Sequence, residues 1–240
     1  PNLPPVFVLG PRVNNAVLSN GTLFVVVADT QAVFIAAATD PNSDPVSYSW
    51  NFGDGDTATG DLVQHTYSAC GPFSASAVAS DGSLSNTAPL TVSVACQFDT
   101  NATTKLQMKV NFAKPDADSV KFQGEVGLDP AFAITGKQVL LSVGDATLAF
   151  VLDSQGKGTN PLGKFQIKFN SKTGNWTVKA SFSKGTWRTP WATYGLTNTT
   201  NAKPGVAVTV PVILVVGSDS FMIDRVLTYT STKDKSGQAK

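Results

Sequence analysis

Apolar and polar residues alternate with a period of two through much of the chain, the pattern of strands that bury one face and wet the other. In the second half, Leu106, Met108, Val110 and Phe112 interleave with Gln107, Lys109 and Asn111. Phe165, Ile167 and Phe169 interleave with Lys164, Gln166 and Lys168, and Trp176, Val178, Ala180 and Phe182 with Thr177, Lys179 and Ser181. Further strands are predicted at 119–126, 138–143, 146–151, 206–216 and 220–230, with Gly144-Asp145 and Gly217-Ser218-Asp219 as hairpin turns. About eight strands at this spacing predict a second antiparallel sandwich or barrel. In the first half, strands are predicted at 46–50, 62–67, 73–79 and 90–94. The apolar runs 23–28 and 32–38 are parted by Ala28-Asp29-Thr30-Gln31 and read as a hairpin. Residues 1–11, with four prolines, form an extended lead-in that cannot join a central strand along its whole length. The expected class is all-β.

Composition agrees with that pattern. The 240 residues are rich in Val, Thr, Ser, Gly, Asn and Phe, with a single Glu and two Met. No stretch approaches the ~20 apolar residues of a membrane helix. The first residue is Pro1, with no charged or apolar leader after it, which reads as a mature or excised fragment. Charge divides the chain. Residues 1–99 hold one basic residue, Arg12, against eight Asp, a net of −7. Residues 100–240 hold seventeen Lys and Arg against nine acids, a net of +8. The sign changes in a polar stretch, so the expected organisation is a sandwich at 1–97, a linker at 98–104 and a second β-module at 105–240. Either two modules of separate ancestry are joined, or acidic and basic faces meet, within one chain or from one copy to the next.

The most informative run of the first half is Trp50-Asn51-Phe52-Gly53-Asp54-Gly55. Its glycines tolerate tight or left-handed turns. The strand entry His65-Thr66-Tyr67 follows, and Asp40-Pro41-Asn42-Ser43-Asp44-Pro45 precedes it. A Trp ending one strand and a Tyr opening a later one suit a two-sheet core, with the Tyr hydroxyl seeking a partner. In this set of motifs, residues 4–97 resemble a PKD (polycystic kidney disease) domain, with its DPxxDP turn, WxFGDG turn and HTY strand. The resemblance implies structural posts for Trp50, Phe52, Gly53, His65 and Tyr67. Asp40, Asn42, Asp44, Asp54 and Asp56 cluster in two turns and offer the hard oxygen ligands Ca²⁺ takes, and the resemblance implies a calcium option near the DPxxDP turn. Asp and Asn are equally the ordinary turn formers. No other cofactor is expected. The second half resembles β-rich C-terminal modules of secreted planctomycete proteins, in Leu106–Pro115, Phe150–Gly158 and Gly195-Leu196-Thr197-Asn198. That resemblance brings no function with it.

Cys70 and Cys96 flank the turn Ser80-Asp81-Gly82-Ser83, and a hairpin centred on residue 83 would place them opposite each other. A disulfide there implies an oxidising compartment; the alternative is two buried thiols. Catalytic constellations are not evident. His65 is the one histidine, neither cysteine has a C-x-x-C spacing, and no phosphate-cradling G-x-x-x-x-G-K-[ST] loop occurs. Nearly all the acids read as turn residues, which does not suit a glycosidase pair. An enzyme is not expected. The lysines alternating with core residues read either as a solvated, edge-protecting face or as a polyanion surface. Nucleic acid conflicts with an extracellular site. Trp187, Arg188, Trp191 and Tyr194 group where Pro190 and irregular spacing predict a loop. They read as a plug of the sandwich end, a contact between the halves, a sugar platform or a protein interface. Sequons occur at Asn20, Asn101, Asn175 and Asn198. The function expected is an extracellular, non-catalytic structural protein, part of a surface layer, appendage, filament or adhesin. Its partners would be other copies, head to tail, or surface proteins. The alternative is a polysaccharide-binding accessory region of a secreted hydrolase.

Overall fold

The computed structural model describes residues 1–98 and 104–240. The linker expected at 98–104 therefore lies, for residues 99–103, outside the described residues, as does the sequon at Asn101. Two compact units are built: Pro1–Cys96 with Ser218–Ser220, and Gln97–Gly217 with Phe221–Lys240.

The first unit holds β1 (Val6–Val13), β2 (Leu18–Ser19), β3 (Leu23–Val27), β4 (Gln31–Thr39), β5 (Ser47–Asn51), β6 (Thr57–Thr59), β7 (Leu62–Thr66), β8 (Gly71–Ser80) and β9 (Ser85–Gln97). They form two sheets, β1-β4-β7 and β2-β3-β9-β8-β5-β6. The proline-rich lead-in enters the edge strand β1, whose ladder with β4 slips between Phe7 and Leu9 and again between Leu9 and Arg12. That edge position is where a strand carrying Pro11 can be tolerated. The segment 12–20 supplies the two-residue edge strand β2.

One expectation is overturned. The runs 23–28 and 32–38 do not form a hairpin. β3 pairs in parallel with β9, while β4 pairs with β1 and β7. Residues 28–30 arch from one sheet to the other. Asp29 adopts φ 57° and donates its N–H to the Tyr67 carbonyl, and the Thr30 hydroxyl bonds the Val27 carbonyl. A hairpin and an arch share the same turn chemistry, and the difference lies in which partners bury the apolar faces.

The second unit holds β10 (Lys105–Asn111), β11 (Asp118–Val126), β12 (Gln138–Val143), β13 (Ala146–Val151), β14 (Lys157–Asn160), β15 (Gly163–Asn170), β16 (Asn175–Gly185), α1 (Arg188–Ala192), β17 (Asn201–Val216), β18 (Asp219–Thr232) and β19 (Ser236–Ala239). Its strands run in the order β14-β15-β16-β11-β10-β19-β18-β17-β12-β13. The end strands β13 and β14 follow each other in the chain and touch; the Asn160 amide bonds the Ala149 carbonyl. The strands thus roll around one core that includes Met108, Leu141, Phe165, Ile167, Phe182 and Tyr229, all nearly or fully buried. The alternation of β10, β13 and β16 is reproduced residue by residue in their burial. Gly144 and Asp145, both at positive φ, make the two-residue turn between Val143 and Ala146. The short helix α1 stands where a loop was expected.

Candidate functional site

In the first unit, the run from Trp50 to Gly55 organises a cluster of rings between the sheets. Trp50 and Phe52 are 1% exposed, and Phe34 lies under both, with ring centroids 5.7 and 5.0 Å away. The Trp50 indole N–H donates to the Gly60 carbonyl at 2.9 Å, and the buried Tyr67 hydroxyl donates to the Phe52 carbonyl at 3.0 Å. Burial, with Asp54 nearby, pushes the Tyr67 phenol well above its ordinary pKa. Gly53 has φ +85°, and a Cβ there would come within 2.6 Å of the Ser74 carbonyl oxygen, so no side chain fits.

His65 lies flat on Phe52, centroids 4.1 Å apart and planes 4° from parallel, with Tyr67 edge-on at 4.5 Å. Its Nε2 meets Asp54 Oδ2 at 2.6 Å, and Asp56 lies 3.9 Å from Nδ1. Burial pushes the Asp54 carboxyl up, but the His65 bond and the Asp56 N–H outweigh it and hold the group below its ordinary value. The imidazole thus fastens the WxFGDG turn to β7.

The five oxygen donors considered for calcium fall in two turns. Asp40 Oδ1 accepts the N–H groups of Asn42 and Asp44, and Asn42 Oδ1 accepts the Leu3 N–H. Among the described residues, the group able to share an ion is Asp54, Asp56 and His65; Asp40 and Asp44 are not part of it. Of that trio, His65 offers nitrogen and already shares a short bond with Asp54. Asp40 Oδ2 is buried without a hydrogen-bond partner, a single donor where Ca²⁺ takes six to eight. Asp40 and Asp54 close their turns through Oδ1, Asn42 Oδ1 holds the Leu3 N–H, and Asp56 stands beside His65.

The two strands flanking Ser80–Ser83 pair Gly71 with Val94 and Ser80 with Ser85, one residue off the register expected from the cysteine spacing. Cys70 precedes β8, and the chain there lets it bond Cys96 across the end of the ladder, Cα atoms 5.1 Å apart. At the other end, Asp81 accepts the Leu84 and Ser83 N–H groups, which hold its carboxyl below the usual range.

In the second unit, the aromatic group corrects an expectation. Trp187 is 8% exposed and Trp191 is fully buried, so neither offers a ring face to a sugar. The Trp191 indole donates to the Val143 carbonyl at 2.8 Å, and the Tyr194 hydroxyl to Asp145 Oδ2 at 2.8 Å. Burial and Asp145 together push the Tyr194 phenol up to about 12. The Arg188 guanidinium bonds the Lys114 carbonyl. Trp191 and Tyr194 clamp α1 onto the β12–β13 turn, Arg188 ties it to the segment between β10 and β11, and ring packing drives the indoles inward.

What sequence reasoning missed is Asp118. Fully buried at the start of β11, it accepts the Asn111 N–H on Oδ1 and the Trp187 and Arg188 N–H groups on Oδ2. It caps α1 from a distant strand, satisfying donors the helix start leaves open. The acid stands at the head of a strand whose alternate positions are buried, in register with Val120 and Phe122. That in-phase position was the available signal.

Residues 24–110 match the family model of the PKD domain. The matched stretch begins after β1 and β2 and takes in the ring cluster, the disulfide and β10 through Val110. No curated protein matches the sequence. Among solved structures, a chimeric titin Z1Z2 functionalised with an exogenous KLER peptide from decorin is 15% identical, over 92% of this chain and 96% of that one. Its TM-score is 0.22, too low to carry an argument. The motifs, the ring geometry and the family match coincide in the first unit, which is a PKD-like β-sandwich.

Proposed function

We propose that this chain is an extracellular, non-catalytic protein that works as a structural or adhesive module. The observation that carries the reading is the Cys70–Cys96 disulfide inside a PKD-matched sandwich. Such a bond persists in oxidising compartments. His65, the chain's one histidine, is spent on fastening a turn, which leaves it poorly placed to serve as a base. The finer reading is a subunit or segment of a surface layer, appendage or filament, with copies meeting head to tail through opposite charge. A contact of that kind propagates when its rotation does not close. Donation of the N-terminal strand to a neighbour finds less support, because β1 already pairs with β4 of its own chain.

Surface biotinylation of intact cells, followed by non-reducing mass spectrometry, tests the extracellular reading. Labelled protein with an intact Cys70–Cys96 link is expected; unlabelled protein with free thiols would remove it. Light scattering at high protein concentration tests assembly: growth at low salt that reverses at high salt is expected, and a persistent monomer would remove the filament reading.

A further inference from the structure

The outward side of β14, β15, β16, β11 and β10 carries an ordered array of cations. Cross-strand pairing places Lys157 opposite Gln166, Gln166 opposite Lys179, Lys179 opposite Gln123 and Gln123 opposite Lys105. One row across five strands therefore reads Lys-Gln-Lys-Gln-Lys. The adjacent row reads Thr159, Lys164, Ser181, Lys121 and Gln107. Strands lie ~4.8 Å apart, so the ammonium groups of the first row recur every ~10 Å over about 19 Å, with an amide between each pair. The five lysines of these two rows are exposed, and Gln123 and Gln166 are half-buried. Among the described residues, none of these lysines makes a salt bridge. The acid on this face, Glu125, accepts the Thr177 hydroxyl and the Asn170 amide on Oε1, and its Oε2 is buried without a hydrogen-bond partner.

We propose that this face binds an extended acidic polysaccharide, a polyuronate being the simplest case. Lysine ammonium groups would meet the carboxylates, while the interleaved Gln amides and Ser and Thr hydroxyls would bond the sugar hydroxyls between them. Nucleic acid suits the face less well. Its rows hold neither the aromatic rings on which bases stack nor the arginines that fork onto phosphates. A membrane surface suits it less too, since the rows present no apolar side chain to insert. Charge complementarity and repeat spacing carry the proposal, and the side chains of the rows decide between polysaccharide and nucleic acid.

The test uses the full chain, polygalacturonate as the probe, and single-stranded DNA and anionic phosphatidylglycerol vesicles as comparators, at low and physiological salt. Two variants lose the same charge: K105Q/K157Q/K179Q on the face, and K114Q/K233Q/K235Q on turns away from these rows. Polygalacturonate is expected to bind more tightly than either comparator, with affinity falling as salt rises. The face variant should lose about tenfold in affinity and the control less than about twofold. Equal losses in the two variants, tighter binding to DNA or vesicles, or no polygalacturonate binding at low salt would overturn the proposal. The disulfide and surface-labelling results are read separately, so failure here leaves the extracellular reading standing, and failure there leaves any measured binding intact.

Discussion

The two units solve the same problem, holding a small set of strands around an apolar interior, by different means. The first relies on short-range chemistry: a ring cluster around Phe34, a glycine turn that admits no Cβ, and a covalent bond across a hairpin end. The second has no disulfide among its described residues. It relies on long alternating strands and on one buried acid that ties a short helix across the barrel end. A motif-held sandwich leaves its signature in contiguous sequence, whereas a unit held by a distant capping acid hides it. The outward faces differ as well, acidic turns in one and a lysine-rich sheet in the other.

The comparison can be broken most strongly at Trp50. Trp50→Ala empties the centre of the ring cluster and should cost about 4 kcal/mol. Hydrogen exchange should show the loss of protection concentrated in residues 1–96; loss spread evenly over the chain would contradict a locally held core. Asp118→Ala leaves three backbone N–H groups without their acceptor and should cost roughly 3 kcal/mol, with a red shift in Trp187 and Trp191 emission. Asp118→Asn keeps an acceptor and should recover part of that loss, which an apolar packing role would not predict. Replacing both cysteines by serine frees a loop closed over 26 residues and should also lower stability by roughly 3 kcal/mol in denaturant melts.

The smallest expected effect is acid sensitivity. Asp54, Asp81 and Asp153 are held below the ordinary carboxyl value in the folded chain, the last chiefly by the Lys157 N–H. Their folded pKa values are depressed, so their contribution is present above the unfolded value of about 4 and is lost as pH falls through the folded values. Melting temperature should therefore hold from neutrality to about pH 5 and decline below about pH 4. Asp81→Asn and Asp153→Asn should each make that decline shallower.

Legibility in the sequence followed the same division. The WxFGDG and HTY runs announced the first sandwich because each ring and glycine has a local reason to be where it is. Of the eight strands predicted in the second half three were legible in clean alternation, while β14 and β19, four residues each, were too short to show a period. The β3–β4 arch was misread because turn residues specify a reversal and say nothing of which sheet receives the next strand. The aromatic group was found, but its burial depends on Asp118, which lies 69 residues from Trp187. Calcium ligation was suggested by carboxylates close in sequence, and in the fold one oxygen each of Asp40 and Asp54 accepts N–H groups of its own turn. The lysine rows could be listed from the sequence, yet their order across five strands exists only once the register is known.

The claim on which the functional reading turns is that the native chain carries an oxidised Cys70–Cys96 pair. Alkylating the protein as isolated, under denaturing and non-reducing conditions, and mapping its peptides by mass spectrometry tests this directly. The account predicts a linked pair of peptides with neither cysteine alkylated. Quantitative alkylation of both cysteines would contradict it.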